Sequence, residues 1–213
     1  MIPSISPTDQ DALLVIDVQN DFMPGGALGV PDGDSVVPLI NRLAKRFKSV
    51  VLTQDWHPDG HASFASAHDG ATPFEVRQAP YGAQVLWPDH CVQGSEGAAL
   101  HDGLAIDHAI LVLRKGVNPD VDSYSAFFEA DGKTATGLAP LFRARGIERV
   151  FLCGLATDYC VAYSALDARK AGFGAFVIED ACRAIDVDGS HGKALADMNA
   201  AGVVRVESRA LLG

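Results

Sequence analysis

The stretch Arg149-Val-Phe-Leu-Cys-Gly-Leu-Ala-Thr-Asp-Tyr-Cys-Val-Ala-Tyr-Ser-Ala-Leu-Asp-Ala-Arg-Lys-Ala171 changes periodicity part-way along. Arg149 to Cys153 is a short apolar, β-branched run of the kind that forms a strand buried on both faces, whereas Asp158 to Ala171 carries apolar residues at helical spacing. A buried strand that feeds a helix through a short turn is half of a βαβ unit. Similar runs lie at Ala12 to Ile16, Ser49 to Leu52, Ala109 to Leu113, Ala175 to Ile178 and Val203 to Val206. Helical spacing recurs at Ser35 to Phe47, Gly137 to Arg145 and Gly189 to Ala200. Strands alternating with helices predict an α/β fold of three layers, with helices on both faces of a mostly parallel sheet of about six strands.

At 213 residues, with 48% apolar and 21% charged residues, the chain suffices for one sizeable core, and no linker composition divides it. One domain over residues 1–213 is therefore expected. The segment 61–108 stands apart: it is rich in Gly, Pro, His and aromatic residues, has no sustained periodicity, and is expected to be a loop-rich excursion over the site. A formal charge of −10 disfavours nucleic acid and anionic membrane surfaces and leaves a small molecule as the expected partner. Met1 to Gln10 has neither a basic start nor a signal-length apolar run, so a cytoplasmic location is expected. Four cysteines without dense spacing are then thiols, not a disulfide framework.

In parallel sheets ligands gather beyond the carboxyl ends of the strands. The polar residues there are Asp17, Asp55 with His57, Lys115, and the stretch Gly154 to Cys160. With Thr157 as the expected N-cap, Cys160 falls in the first turn of a helix, where free N–H groups and the helix dipole lower a thiol pKa and can hold an oxyanion. The competing reading is a buried structural cysteine, which is how Cys153 reads; Cys91 and Cys182 have no comparable setting. Asp17 could take the thiol proton and return it to a leaving amine. Read alone it could equally cap a turn. Lys115 could stabilise either anion, although most lysines at strand ends are simply solvated.

Asp55-Trp-His57-Pro-Asp-Gly-His61, followed at a distance by Trp87-Pro-Asp-His90-Cys91, offers carboxylate and imidazole donors suited to Zn²⁺, Mn²⁺ or Fe²⁺. Seven histidines make chance pairings easy, and His68, His101, His108 and His191 are left without a role. Phe22, Trp87 and Tyr124 lie near both clusters and could wall a flat pocket. A dinucleotide site is disfavoured, because Asp17 to Asp21 holds no glycine.

Five stretches resemble the nicotinamidases of the isochorismatase-like cysteine hydrolases: Ala12 to Phe22, Gln54 to Phe64, Trp87 to Ser95, Arg114-Lys-Gly116, and Gly154 to Cys160. The resemblance implies hydrolysis of nicotinamide to nicotinate and ammonia through a cysteine thioester, with pyrazinamide also accepted. It implies a triad of Asp17, Lys115 and Cys160, an oxyanion hole at the N–H groups of Ala156 and Cys160, and a cis Leu155–Ala156 peptide. It further implies a divalent metal, foremost Zn²⁺ with Fe²⁺ or Mn²⁺ as alternatives, on Asp55, His57 and His90. His61 would be a fourth ligand or a support behind the ligands. Phe22, Trp87, Leu155 and Tyr124 would bind substrate, and a homo-oligomer is compatible with the resemblance. Other readings are a related amidohydrolase acting on a carbamoyl or ureido compound, and a non-catalytic thiol-switch module.

Overall fold

The computed structural model describes residues 4–213. In chain order its elements are β1 (Asp11–Ile16), α1 (Val37–Ala44), β2 (Ser49–Asp55), β3 (Val76–Ala79), β4 (Gly82–Val85), β5 (Leu111–Lys115) and α2 (Leu138–Ala144). There follow β6 (Arg149–Leu155), α3 (Ala162–Lys170), β7 (Gly174–Arg183), α4 (Ser190–Ala200), β8 (Val204–Val206) and α5 (Arg209–Leu212). A six-stranded sheet runs in the order β5-β2-β1-β6-β7-β8, and every pairing in it is parallel. Each of the six apolar runs in the sequence becomes one of these strands.

The strand order explains the sequence texture. All residues of β1 and β2 are buried, and both strands carry a continuous apolar stretch, Ala12 to Ile16 and Val50 to Leu52. The edge strand β5 alternates between covered and exposed residues, and β8 at the other edge is short and open to solvent. From β1 the chain builds outward through β2 to β5, then crosses back and builds the other way through β6, β7 and β8. With right-handed crossovers, opposite directions of winding put the helices of the two halves on opposite faces. The second-half crossover helices α3 and α4 pack together, while the terminal α5, which crosses to no further strand, returns to pack beside α1. The reversal falls between β1 and β6, where Ile16 is paired with Gly154. There the strands approach so closely that a Cβ on Gly154 would collide with the Ile16 carbonyl, and Gly154 itself has φ +113°. Only glycine fits.

Three details differ from the sequence reading. The helix expected over 158–171 is split into a π-type turn at Thr157–Val161 and the regular helix α3. Residues 61–108 contain an antiparallel hairpin, β3 with β4, which alternation over only four residues per strand did not reveal. The short α5 was also not anticipated. The excursion is stitched to the body through the bridges Gln19 to Leu100, His57 to Val92 and, within itself, Phe64 to Trp87. Among the described residues no helix is long and apolar enough to cross a membrane.

At the opposite, amino-terminal rim of the sheet, Arg149 grips the buried Asp11 carboxylate through Nε and Nη2 at 2.6 and 2.7 Å. Burial pushes the Asp11 carboxyl up, but the bonds from Arg149 and Thr8 outweigh it and hold the group below its ordinary value. A depressed folded-state pKa gives stability that is complete above the unfolded value and fades as pH falls through the folded one. Arg149 is partly exposed, so the expected loss for Asp11→Asn is modest, about 1–2 kcal/mol at neutral pH. Urea titrations should show that loss shrinking below roughly pH 4.

Candidate active site

Four charged or nucleophilic side chains converge at the carboxyl rim. Asp17 ends β1 in a left-handed conformation, φ 47°, which an aspartate tolerates better than most residues. Its N–H donates to Thr53 Oγ1 at 3.1 Å, and Thr53 Oγ1 donates to Asp17 Oδ1 at 2.6 Å, so β2 fixes its carboxylate from both ends. The other oxygen, Oδ2, is buried without a hydrogen-bond partner among the described residues; the Lys115 ammonium lies 2.9 Å away but off its hydrogen-bonding direction. Lys115 closes β5 and is almost wholly buried. Its Nζ donates to Asp55 Oδ1, to the Ser123 carbonyl at 2.9 Å and toward Cys160 Sγ at 3.3 Å. Acceptor atoms of Asp17, Asp55 and Cys160 all lie within 4.8 Å of one another.

Burial and this one cation set the proton affinities. Burial would lower the Lys115 pKa, yet Asp17, Asp55 and Cys160 together lift it well above its ordinary value, so the ammonium stays charged. Burial raises Asp17 despite Lys115. Burial likewise pushes the Cys160 thiol well above its ordinary value, with Lys115 opposing. This corrects the expectation that a helix start would lower the thiol: loss of water outweighs the helix end. Two buried acids with raised proton affinity, side by side, are suited to passing one proton between sulfur and carboxylate.

The turn carrying Cys160 also departs from expectation. Ala156, not Thr157, occupies the cap position, and among the described residues no side chain caps the turn. The Ala156 carbonyl accepts from Tyr159 N–H at 3.2 Å and from Val161 N–H at 3.1 Å, so Cys160 N–H takes no part in that pair. Ala156 N–H has no acceptor among the described residues. The Leu155–Ala156 peptide is cis.

Beside the thiol lie Asp55, His57 and His90, all buried. His57 Nδ1 faces the Gly116 carbonyl at 3.0 Å, and His90 Nδ1 faces the Pro88 carbonyl at 2.8 Å. A carbonyl only accepts, so each Nδ1 carries the hydrogen and each Nε2 presents a lone pair. Those Nε2 atoms lie 3.7 and 3.9 Å from Asp55 Oδ2. Three donors of the right chemistry thus converge with their tautomers fixed from behind, and they fit a divalent transition metal. Gln19 holds Asp55 in place by accepting from its N–H and donating to its carbonyl, both at 2.8 Å. His61 stands behind His57, ring centroids 4.4 Å apart. Its Nδ1 faces Ser63 Oγ at 2.7 Å and its Nε2 the Asn118 carbonyl at 2.8 Å.

Phe22, Trp87 and Tyr124 line a cleft that opens onto Cys160, Asp55, His57 and His90. Trp87 Nε1 donates to Tyr124 Oη at 2.9 Å, which satisfies the indole inside an apolar wall. Leu155 is a correction: it is fully buried in β6, with Cδ1 directed at Gly33, and does not line the cleft. Its neighbour Ala156, just beyond the end of β6, lines the cleft instead. Leu28, Asp122, Tyr159 and Ile185 also line the cleft and were not foreseen. Ile185 lies two residues beyond β7, where strand-end inspection could have found it; Leu28 carried no signal.

The isochorismatase domain model matches residues 11–209. This chain belongs to the isochorismatase family. Within the family it is 54% identical over 201 residues to the nicotinamidase of Acinetobacter baylyi, covering 94% of each chain. It superposes with a TM-score of 0.94 on a nicotinamidase/pyrazinamidase structure from Acinetobacter baumanii, at 53% identity and covering 95% of this chain and 98% of that one. The pyrazinamidase of Pyrococcus horikoshii in complex with zinc gives a TM-score of 0.75 at 37% identity, covering 93% and 99%.

Replacing Lys115 by Met would strand two buried carboxylates without a cation. Thermal and urea unfolding of Lys115→Met should show a loss of about 3–5 kcal/mol. Stability equal to wild type would mean that the ammonium does not balance the cluster.

Proposed function

We propose that this protein is a nicotinamidase, hydrolysing nicotinamide to nicotinate and ammonia and accepting pyrazinamide, with residues 1–213 acting as one domain. The observation that carries the reading is the Cys160 thiol, 3.3 Å from the buried Lys115 ammonium and beside the Asp17 carboxylate, in an aromatic-lined cleft. The high identity to curated nicotinamidases supports it.

In the mechanism proposed, Asp17 takes the proton of Cys160 and the sulfur attacks the carboxamide carbon. The oxyanion that forms accepts hydrogen bonds from the N–H groups of Ala156 and Cys160, which need no reorganisation to receive it. Asp17 then returns its proton to the amide nitrogen, the C–N bond breaks, and ammonia leaves a thioester on Cys160. In the second half Asp17 takes a proton from water as its oxygen adds to the thioester carbon. Collapse expels the sulfur, the acid leaves, and Cys160 regains the proton held by Asp17. Lys115 keeps both anionic stages affordable by facing carboxylate and sulfur together.

Asp55, His57 and His90 would hold a divalent metal, foremost Zn²⁺, with Fe²⁺ or Mn²⁺ as alternatives. Such a cation, when bound, supplies Lewis acidity to the cleft. His61 would support His57 from behind. Phe22, Trp87 and Tyr124 would sandwich the pyridine ring and exclude water.

Cys160→Ala is expected to abolish ammonia release from nicotinamide with a near-native melting temperature; turnover by that variant would refute the nucleophile. A Cβ at Gly116, where φ is +66°, would meet the His57 ring at 2.5 and 2.7 Å. Gly116→Ala should therefore displace that ligand and weaken metal affinity roughly tenfold or more, read by elemental analysis after dialysis against a graded chelator. Metal-free wild-type protein turning over at full rate would favour the rival reading of a carbamoyl or ureido hydrolase.

A further inference from the structure

Asp158 sits two residues before the nucleophile and is 95% buried, because only 5% of its surface is exposed. Its carboxylate is spent on one loop. Oδ1 accepts from Ile185 N–H at 3.1 Å, while Oδ2 accepts from Asp186 N–H at 2.8 Å and Ser190 Oγ–H at 2.5 Å. All three partners are neutral donors, so the charge is held by directed hydrogen bonds. That loop joins β7 to α4 and is tightly wound, with Asp186 and Asp188 both left-handed at φ 55° and 53°. Ile185 of this loop lines the cleft, and Tyr159, the residue after Asp158, lines the same cleft.

We infer that Asp158 is a positioning residue that locks the Ile185 wall of the cleft in register with the Cys160 turn and so sets affinity for the aromatic ring. The nucleophile's turn follows β6 and the Ile185 loop follows β7, so they belong to separate connections, free to shift relative to each other unless a side chain ties them. Three charge-assisted hydrogen bonds from one buried carboxylate remove that freedom. Asp158 touches neither Asp17, Lys115 nor the Asp55, His57, His90 group, so its loss leaves the proton-transfer geometry in place. Ile185 meets the ring equally before and during bond making, and loss of such a contact raises KM more than it lowers kcat. The kinetic arm of the test rests on the nicotinamidase reading above.

In Asp158→Asn one acceptor becomes an NH₂ group facing N–H and O–H donors. The expected result is a KM for nicotinamide raised about tenfold with kcat lowered by less than about threefold. Ile185→Ala should raise KM comparably, and the double variant should be no worse than the poorer single one, since both disturb one wall. Amide hydrogen exchange at Ile185 and Asp186 should accelerate in Asp158→Asn while β6 stays protected. Ser190→Ala, which removes one of the three bonds, gives a milder KM rise and keeps the test open should Asp158→Asn fail to fold. A fall in kcat at unchanged KM, additive effects in the double variant, or unchanged exchange at 185–186 would each overturn the assignment. If wild-type protein releases no ammonia from nicotinamide the functional reading fails, and the exchange arm still decides the role of Asp158.

Discussion

A single ammonium holds the site together. Lys115 is buried against Asp17, Asp55 and Cys160, and no water is needed to keep it charged, because two carboxylates and a thiol surround it. Without that cation, two acids and a sulfur buried side by side would repel one another and take up protons. With it, Asp55 stays well below the usual carboxylate range, while Asp17, whose Oδ2 lacks a hydrogen bond, keeps a raised proton affinity. One cation therefore separates two neighbouring aspartates into different chemical states: an anion facing the histidines and a proton carrier facing the thiol.

That arrangement depends on backbone placement more than on side-chain packing. Asp17, Asp55 and Lys115 close or follow the adjacent strands β1, β2 and β5, while Cys160 follows β6 on the other side of β1. The winding reverses between β1 and β6, so the loops beyond those strands part there and leave a crevice. Gly154 lets the two strands come close enough for Cys160 to reach across to Lys115. Thr53 and Gln19 then fix the two aspartates, each bonding a backbone group as well as holding the carboxylate or its peptide.

The walls of the cleft come from elsewhere. Trp87 and His90 belong to the excursion between β2 and β5, Tyr124 to the loop after β5, Tyr159 to the nucleophile's turn, and Ile185 to the loop after β7. Loops of this kind need local anchors, and the molecule provides them one by one: Trp87 on Tyr124, Asp21 on the Cys91 N–H at 2.7 Å, Asp158 on residues 185, 186 and 190. A rigid sheet supplies the chemistry, and separately tethered loops supply the fit to a flat ligand.

By itself the sequence determined the sheet, because a strand buried on both faces must be an apolar run, and Ala12 to Ile16 or Arg149 to Cys153 permit little else. It determined the polar rim too: Asp17, Asp55, His57, Lys115 and Cys160 stand where those runs stop. The rest was decided by tertiary structure. Whether a strand-end lysine is solvated or buried depends on what other loops cover it, and no local pattern around Lys115 records that. The thiol shows the same dependence, since helix position argued for a lowered pKa and burial by distant segments raised it. Leu155 and Ala156 differ by one residue, yet one side chain lies in the core and the other lines the cleft. Leu28 and Ile185 became cleft walls only through contacts far apart in the chain. Periodicity is a local property and survives in the sequence; burial, charge balance and cavity shape are sums over the whole fold.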